Sequence, residues 1–198
     1  MKAVLISIQP KWCELIASEK KTIEVRKTRP KIETPFKCYI YMTATKERCR
    51  LWEYITAYQN SKGEILNGSQ KVIGGFICDR IEEFHEWQLS PSGKFQEYEQ
   101  RDLDRFLKES CISFEDVCEY RRNMPYYKPL YGWHISDLKI YDKPKELGEF
   151  RKPCDFAYDC CVCQRAVYKQ LAAGEMIFNG CNDKITRPPQ SWCYVEEL

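Results

Sequence analysis

The hydrophobic pattern changes period several times along the chain, and each change marks an element. Ala3 to Ile8 is a nearly continuous apolar run of the length of a short buried strand. Pro10 follows where a first helical turn tolerates proline, and Trp12, Leu15 and Ile16 then fall at i, i+3 and i+4, the apolar face of a short helix. From Thr22 to Lys27 the period drops to two. Thr22, Glu24 and Arg26 share one side of a predicted strand and Ile23 and Val25 the other, which leaves a polar row facing outward. Residues 37–43 read as a second strand rich in β-formers, and Leu51 to Tyr58 as an amphipathic stretch ending in a turn-like segment, 60–70. Residues 71–84 are the longest strand-like run, with Gly74 and Gly75 placed to allow a bend or bulge. Helices are predicted at Glu99 to Glu109 and at Phe114 to Arg122, the second with Ser113 as N-cap. Residues 129–142 read as a closing strand pair or one bent strand, followed by a surface turn or short helix. Near the end, Pro188 and Pro189 deliver a short apolar strand suited to docking at a sheet edge.

At 198 residues the chain is long enough for one good-sized domain with appendages. Its 43% hydrophobic, 30% charged and 14% aromatic content excludes a low-hydrophobicity disordered chain. The apolar runs at Ala3–Ile8 and Val72–Cys78 are far shorter than the roughly 18 residues of a membrane span, and Met1-Lys2 leads into no signal-peptide pattern; no membrane partner and a cytoplasmic location are expected. Net charge is only +2, but residues 1–50 hold 12 basic and 5 acidic side chains. Six cations (Lys20, Lys21, Arg26, Lys27, Arg29, Lys31) sit within twelve residues, with Glu24 as the single acid among them, a local attractor for anions or a strand edge kept soluble.

Twelve cysteines are unevenly spread. Cys13, Cys38, Cys49, Cys78, Cys111 and Cys118 are scattered, mostly among apolar neighbours, and are expected to act as small reduced core residues. The other six crowd the last 45 residues. Cys160 and Cys163 form a CxxC pair, and together with Cys154 and Cys181 they supply four thiolates for a tetrahedral structural zinc, with Cys193 as a rival ligand; reduced structural thiols are the alternative. No cofactor other than that zinc is implied.

The order strand, short helix, KKTIEVRK, strand resembles the ASCH family. The resemblance is carried by Ile6 to Lys11, by Lys21, Thr22, Glu24 and Arg26, by the strand around Gly74 to Phe76 and by Tyr131 to Asp142, and it covers about residues 2–142. It implies an α+β fold, a small PUA-like β-barrel with an N-terminal helix and helical insertions over residues 1–150. A Cys-rich C-terminal extension follows over 151–198, similar to versions seen in phage and prophage genomes. It also implies RNA or a modified nucleoside as partner. The family often has glycine just before the lysines, where Glu19 and Lys20 stand here, so an altered turn is expected.

The resemblance places the site on the Lys21 to Arg26 strand. Thr22, Glu24 and Arg26, about 7 Å apart along one strand face, with Lys21 at its mouth, combine hydroxyl, carboxylate, guanidinium and ammonium groups. Such a set reads a base, with Glu24 accepting from an amine or ring N–H, Arg26 holding a phosphate or pairing with Glu24, and Trp12, Tyr41 or Trp133 stacking, while Lys20, Lys27, Arg29 and Lys31 suit an RNA strand running past the cleft mouth. A plain Glu24–Arg26 ion pair on a solvated face is the structural alternative. Some similar proteins are amidohydrolases that deacetylate N4-acetylcytidine with a Lys, a nucleophilic Thr and a Glu. Lys21 matches the first, but Glu24 stands at the threonine's position. A catalytic set of Lys21, Thr22 and Glu24, with the carboxylate as base on water, keeps that activity as the alternative to binding. A two-histidine ribonuclease would need His85 and His134 in one site; His85, in an acidic run, reads as a surface residue and His134 as a cleft residue. A phage interaction protein acting through its Cys-rich tail is the third reading.

Overall fold

The protein is described by a computed structural model over residues 1–44, 56–85, 97–125, 127–153 and 184–198. β1 (Lys2–Ile8) sends Val4, Ile6 and Ile8 into one apolar cluster and Ala3 and Leu5 into another on its opposite face, so it is covered on both sides, as its unbroken apolar run requires. It pairs in parallel with β3 (Phe36–Met42) and antiparallel with β10 (Trp192–Glu196). With β6 (Val72–Cys78) and β9 (Ser136–Lys145) these form a five-stranded sheet in the order β10-β1-β3-β6-β9. A second sheet runs β2 (Ile23–Arg26), β8 (Leu130–His134), β7 (Ile81–Phe84), and a hairpin joins β4 (Ala57–Gln59) to β5 (Ile65–Asn67).

The segment 71–84 is therefore two strands in two sheets, broken at the polar pair Asp79-Arg80, and 129–142 is likewise divided at Ile135. Gly74 and Gly75 lie where the ladders with both neighbours shift register. A Cβ on Gly74 would stand 2.5 Å from the Lys139 carbonyl oxygen, so the backbones approach too closely there for any side chain. The apolar strand after the two prolines docks on β1 as its pattern suggested, with Trp192 and Tyr194 facing one core cluster and Cys193 and Val195 the other.

The described residues form no closed barrel, which corrects the expectation drawn from the resemblance. Between β2 and the β10–β1 edge no ladder forms. A side chain bridges the gap instead: an Arg26 guanidinium nitrogen donates to the Ser7 carbonyl at 2.6 Å. The opening left at this seam is a cleft lined by Ser7, Glu24 and Arg26.

Three helices stand among the described residues: α1 (Pro10–Ala17), α2 (Glu97–Ser110) and α3 (Phe114–Arg121). Leu103, Phe106 and Leu107 of α2 and Val117 of α3 pack on Ile23, Val25, Phe84 and Leu130, the outer face of the second sheet. Ser113 caps α3, its hydroxyl accepting from the Asp116 amide at 3.1 Å. The segment after β9 forms a short 3-10 turn, Leu147–Glu149. No described helix is long and apolar enough to cross a membrane.

Among the scattered cysteines, Cys13, Cys38 and Cys78 are buried as expected, and burial pushes their thiols up, that of Cys78 to about 12. Cys111 is half-buried and Cys118 exposed, which departs from the expected core role: Cys111 follows the last residue of α2, its thiol 3.2 Å from the Lys20 carbonyl, and Cys118 lies on α3 next to Val117, the residue that this helix buries. Cys49 and the zinc set Cys154, Cys160, Cys163 and Cys181 lie outside the described residues. Among the described residues no three His, Cys, Asp or Glu gather in metal-binding geometry.

Candidate functional site

The turn that delivers the site strand is a helix C-terminus. At the end of α1 the Glu19 amide bonds the Ile16 carbonyl and the Lys20 amide the Leu15 carbonyl, a Schellman motif. Glu19 takes the left-handed conformation, φ +58°, that glycine adopts freely; a side chain there costs about 1 kcal/mol. The missing glycine thus alters the energy of the turn and leaves its path intact. The path drops Lys21 directly beneath the C-terminus of α2, where its ammonium donates to the Ser110 carbonyl at 2.6 Å. A cation is favoured at that end of a helix by the partial negative charge of its unpaired carbonyls.

Along β2 the side chains divide as the alternation implies, Ile23 and Val25 toward α2 and α3, Glu24 and Arg26 toward the seam. Apart from the exposed Thr22, the polar row is not solvated, however. Lys21 is 1% exposed, Glu24 5% and Arg26 8%. Glu24 sits between the two cations, one oxygen 3.4 Å from the Lys21 ammonium and the other 2.9 Å from the Arg26 guanidinium. Arg26 is held further by Ser7, whose own amide and hydroxyl bond the Ser191 and Pro189 carbonyls at 2.8 and 2.7 Å. Burial lowers the pKa of Lys21, against the opposing pull of Glu24.

This network floors a cleft of about 700 Å³. The N-terminal turn of α1 contributes Gln9, Lys11 and Trp12 to its walls, the C-terminal segment Gln190, and the α3 region Ile112, Asp116 and Tyr120. The Trp12 ring carries the Lys11 ammonium 4.2 Å and the Lys21 ammonium 4.9 Å from its centre. An apolar ring beside a buried carboxylate and two buried cations can stack a planar heterocycle and hydrogen-bond its edge.

The remaining sequence candidates are placed differently. Thr22 is exposed and lies outside the cleft lining; its amide bonds the Glu109 carbonyl at 2.8 Å. Trp133 pairs across the ladder with Glu24 but is 0% exposed, packed on Phe36 and Trp192 at 5.8 and 6.0 Å, so it backs the site from the core and offers no face for stacking. Tyr41 is buried in the cluster on the far face of the main sheet. Of the six cations, Lys20, Arg29 and Lys31 are exposed and Lys27 half-buried, its ammonium 4.6 Å over the Tyr120 ring; Arg29 lies 3.8 Å from Glu83. Asp116 and Tyr120 carry no strong signal in the sequence. Only the predicted helix from Phe114, with 116 and 120 one turn apart, could have aligned them.

Neither histidine lines the cleft. His85 is half-buried, and His134 is buried with Nε2 2.8 Å from a Glu82 oxygen that also approaches Arg80 at 3.4 Å, while the other Glu82 oxygen meets Arg105 at 2.9 Å. Burial lowers the pKa of His134 below its usual 6.5. Between those two values the unfolded imidazole binds the proton that the folded one refuses, so the contribution of His134 to stability is full above about 6.5 and is lost as pH falls toward the folded value. Urea midpoints measured from pH 7.5 to 5 are expected to decline, and to decline less in His134→Gln.

No family model matches this sequence, and no curated protein matches it. Among solved structures, the crystal structure of ASCH from Zymomonas mobilis is similar at 17% identity and a TM-score of 0.50, over 98% of this chain and 88% of that one. A tyrosine-to-phenylalanine variant of the same protein gives 16% and 0.52 over 100% and 92%, and a serine-to-alanine variant 14% and 0.51 over 98% and 89%. At these identities the likeness is one of fold, and the chain has the fold of the ASCH proteins.

Proposed function

We propose that the cleft over Lys21, Glu24 and Arg26 binds a nucleobase, presented by RNA or as a modified nucleoside. One observation carries this reading. A trio of ionisable side chains is buried at the floor of a cleft of about 700 Å³ with an indole in its wall. Burying three charged groups is costly unless each is partnered, and a network that exists only for stability is easily replaced by apolar packing. A partnered charged network beside an open cleft is the arrangement that recognition of a polar, planar ligand needs.

Because Lys21 and Arg26 are buried and held by protein partners, binding of phosphates falls to Lys11 in the cleft wall and to the more exposed Lys20, Lys27, Arg29 and Lys31 of the same basic segment. Fluorescence anisotropy of short oligoribonucleotides at several salt concentrations tests this. Log affinity is expected to fall against log salt by about 0.7 per phosphate neutralised, and the double change Lys27→Ala and Lys31→Ala to flatten the slope by about that amount for each phosphate left without its lysine. Failure to bind either an oligonucleotide or a nucleoside at any salt would overturn the reading.

Hydrolysis of a modified base such as N4-acetylcytidine is the second reading, favoured by the lowered pKa of Lys21 beside Glu24. With Thr22 outside the lining, it relies on Glu24 as base on water. Its mark would be salt-insensitive turnover of free nucleoside that disappears in Glu24→Gln.

A further inference from the structure

We infer that α3 carries the base-selecting wall of the cleft, with Asp116 accepting from the exocyclic amine of the bound base and Tyr120 stacking on it, so that the ligand is an amine-bearing base and uracil is disfavoured. The inference rests on the nucleobase reading above. Ile112, Asp116 and Tyr120 are successive at four-residue spacing and all line the cleft. Val117, on another face of the same helix, is buried against the cluster that contains Ile23 and Val25. α3 is thus anchored to the apolar side of β2 and presents Asp116 and Tyr120, with Ile112 just ahead of its cap, to the polar side's cleft. The Ser113 cap, bonded to the Asp116 amide, sets the rotation of this first turn.

The two carboxylates of the cleft are not equivalent. Each Glu24 oxygen already faces a cation, at 3.4 and 2.9 Å, whereas Asp116 has no basic group within 4 Å among the described residues and is exposed. An ionised carboxylate only accepts hydrogen bonds. It therefore matches the N4 amine of cytosine or the N6 amine of adenine and repels the O4 carbonyl oxygen that uracil carries in place of the cytosine amine. Tyr120 is 39% exposed in the cleft wall, open to a ligand, and the Lys27 ammonium over its ring adds positive charge where a phosphate follows the base.

Binding of six-residue oligo(rC), oligo(rA) and oligo(rU) tests the assignment. The wild-type protein is expected to bind the C and A oligomers about tenfold more tightly than the U oligomer. Asp116→Ala should bring the three within about twofold without weakening U, and Asp116→Asn, whose amide can donate to uracil, should narrow the gap from the U side. Tyr120→Ala should weaken all three about tenfold, with Tyr120→Phe close to wild type. Glu115→Ala removes the same charge from the same helix turn and should keep the preference. Equal binding of the three oligomers by the wild type, or a preference that survives in Asp116→Ala, overturns this inference and leaves nucleobase binding standing. Absence of binding to all three oligomers and to free cytidine, adenosine and N4-acetylcytidine overturns both.

Discussion

Replacing Glu24 by alanine is expected to lower folding stability by about 3–5 kcal/mol and to abolish ligand binding in whatever fraction remains folded. The loss does not measure the worth of the Glu24 ion pairs. It measures the cost of leaving Lys21 and Arg26, 1% and 8% exposed, as uncompensated charges in a place water barely reaches. Glu24→Gln, which keeps the volume and one oxygen acceptor, should lose less stability and still fail to bind. Urea unfolding with an unchanged m-value reads the first effect and anisotropy the second. A decrease under about 1 kcal/mol in Glu24→Ala would show the trio to be solvated. The same reasoning applies to Lys21→Ala and Arg26→Ala. The outward polar row read from the sequence would let these changes spare the fold, whereas the observed burial and the hydrogen bonds to Ser110 and Ser7 tie both residues to the fold as well as to the site.

Trp133→Ala is expected to cost about 3–5 kcal/mol, the range for truncating a large, fully buried aromatic side chain. Trp133 is 0% exposed and packs edge-on against Phe36 and tilted against Trp192, so its removal opens a cavity between the two sheets. Ligand affinity per folded molecule should change little. Trp12→Ala is the contrasting variant. Trp12 is half-buried in the cleft wall, and its loss should leave stability within about 1–2 kcal/mol of wild type while weakening binding by about 1–3 kcal/mol, the worth of one stacked base. Paired melts and titrations of the two variants check the assignment; equal effects on binding would place Trp133 in the site.

The sequence by itself determined the local elements and their sidedness. The unbroken apolar run of Ala3 to Ile8 requires cover on both faces, the alternation from Thr22 to Arg26 separates Ile23 and Val25 from Glu24 and Arg26, Ser113 starts α3, and the pattern after Pro189 makes a docking strand; each depends on side chains within a few residues of one another. Only the tertiary structure decided what covers each face. The partners that bury the polar row are 89 residues away at Ser110 and 165 residues away at Ser191, and no period within β2 encodes them. The same holds for Trp133, which looks like a stacking residue by type and neighbourhood until Phe36 and Trp192 close over it. The division of 71–84 between two sheets and the seam bridged by Arg26 arise from how strands distant in sequence pair. Alternation specifies which side chains share a face; whether that face meets water, core or cleft is set by long-range packing, and here packing turned a surface-like charged row into the buried floor of a cleft.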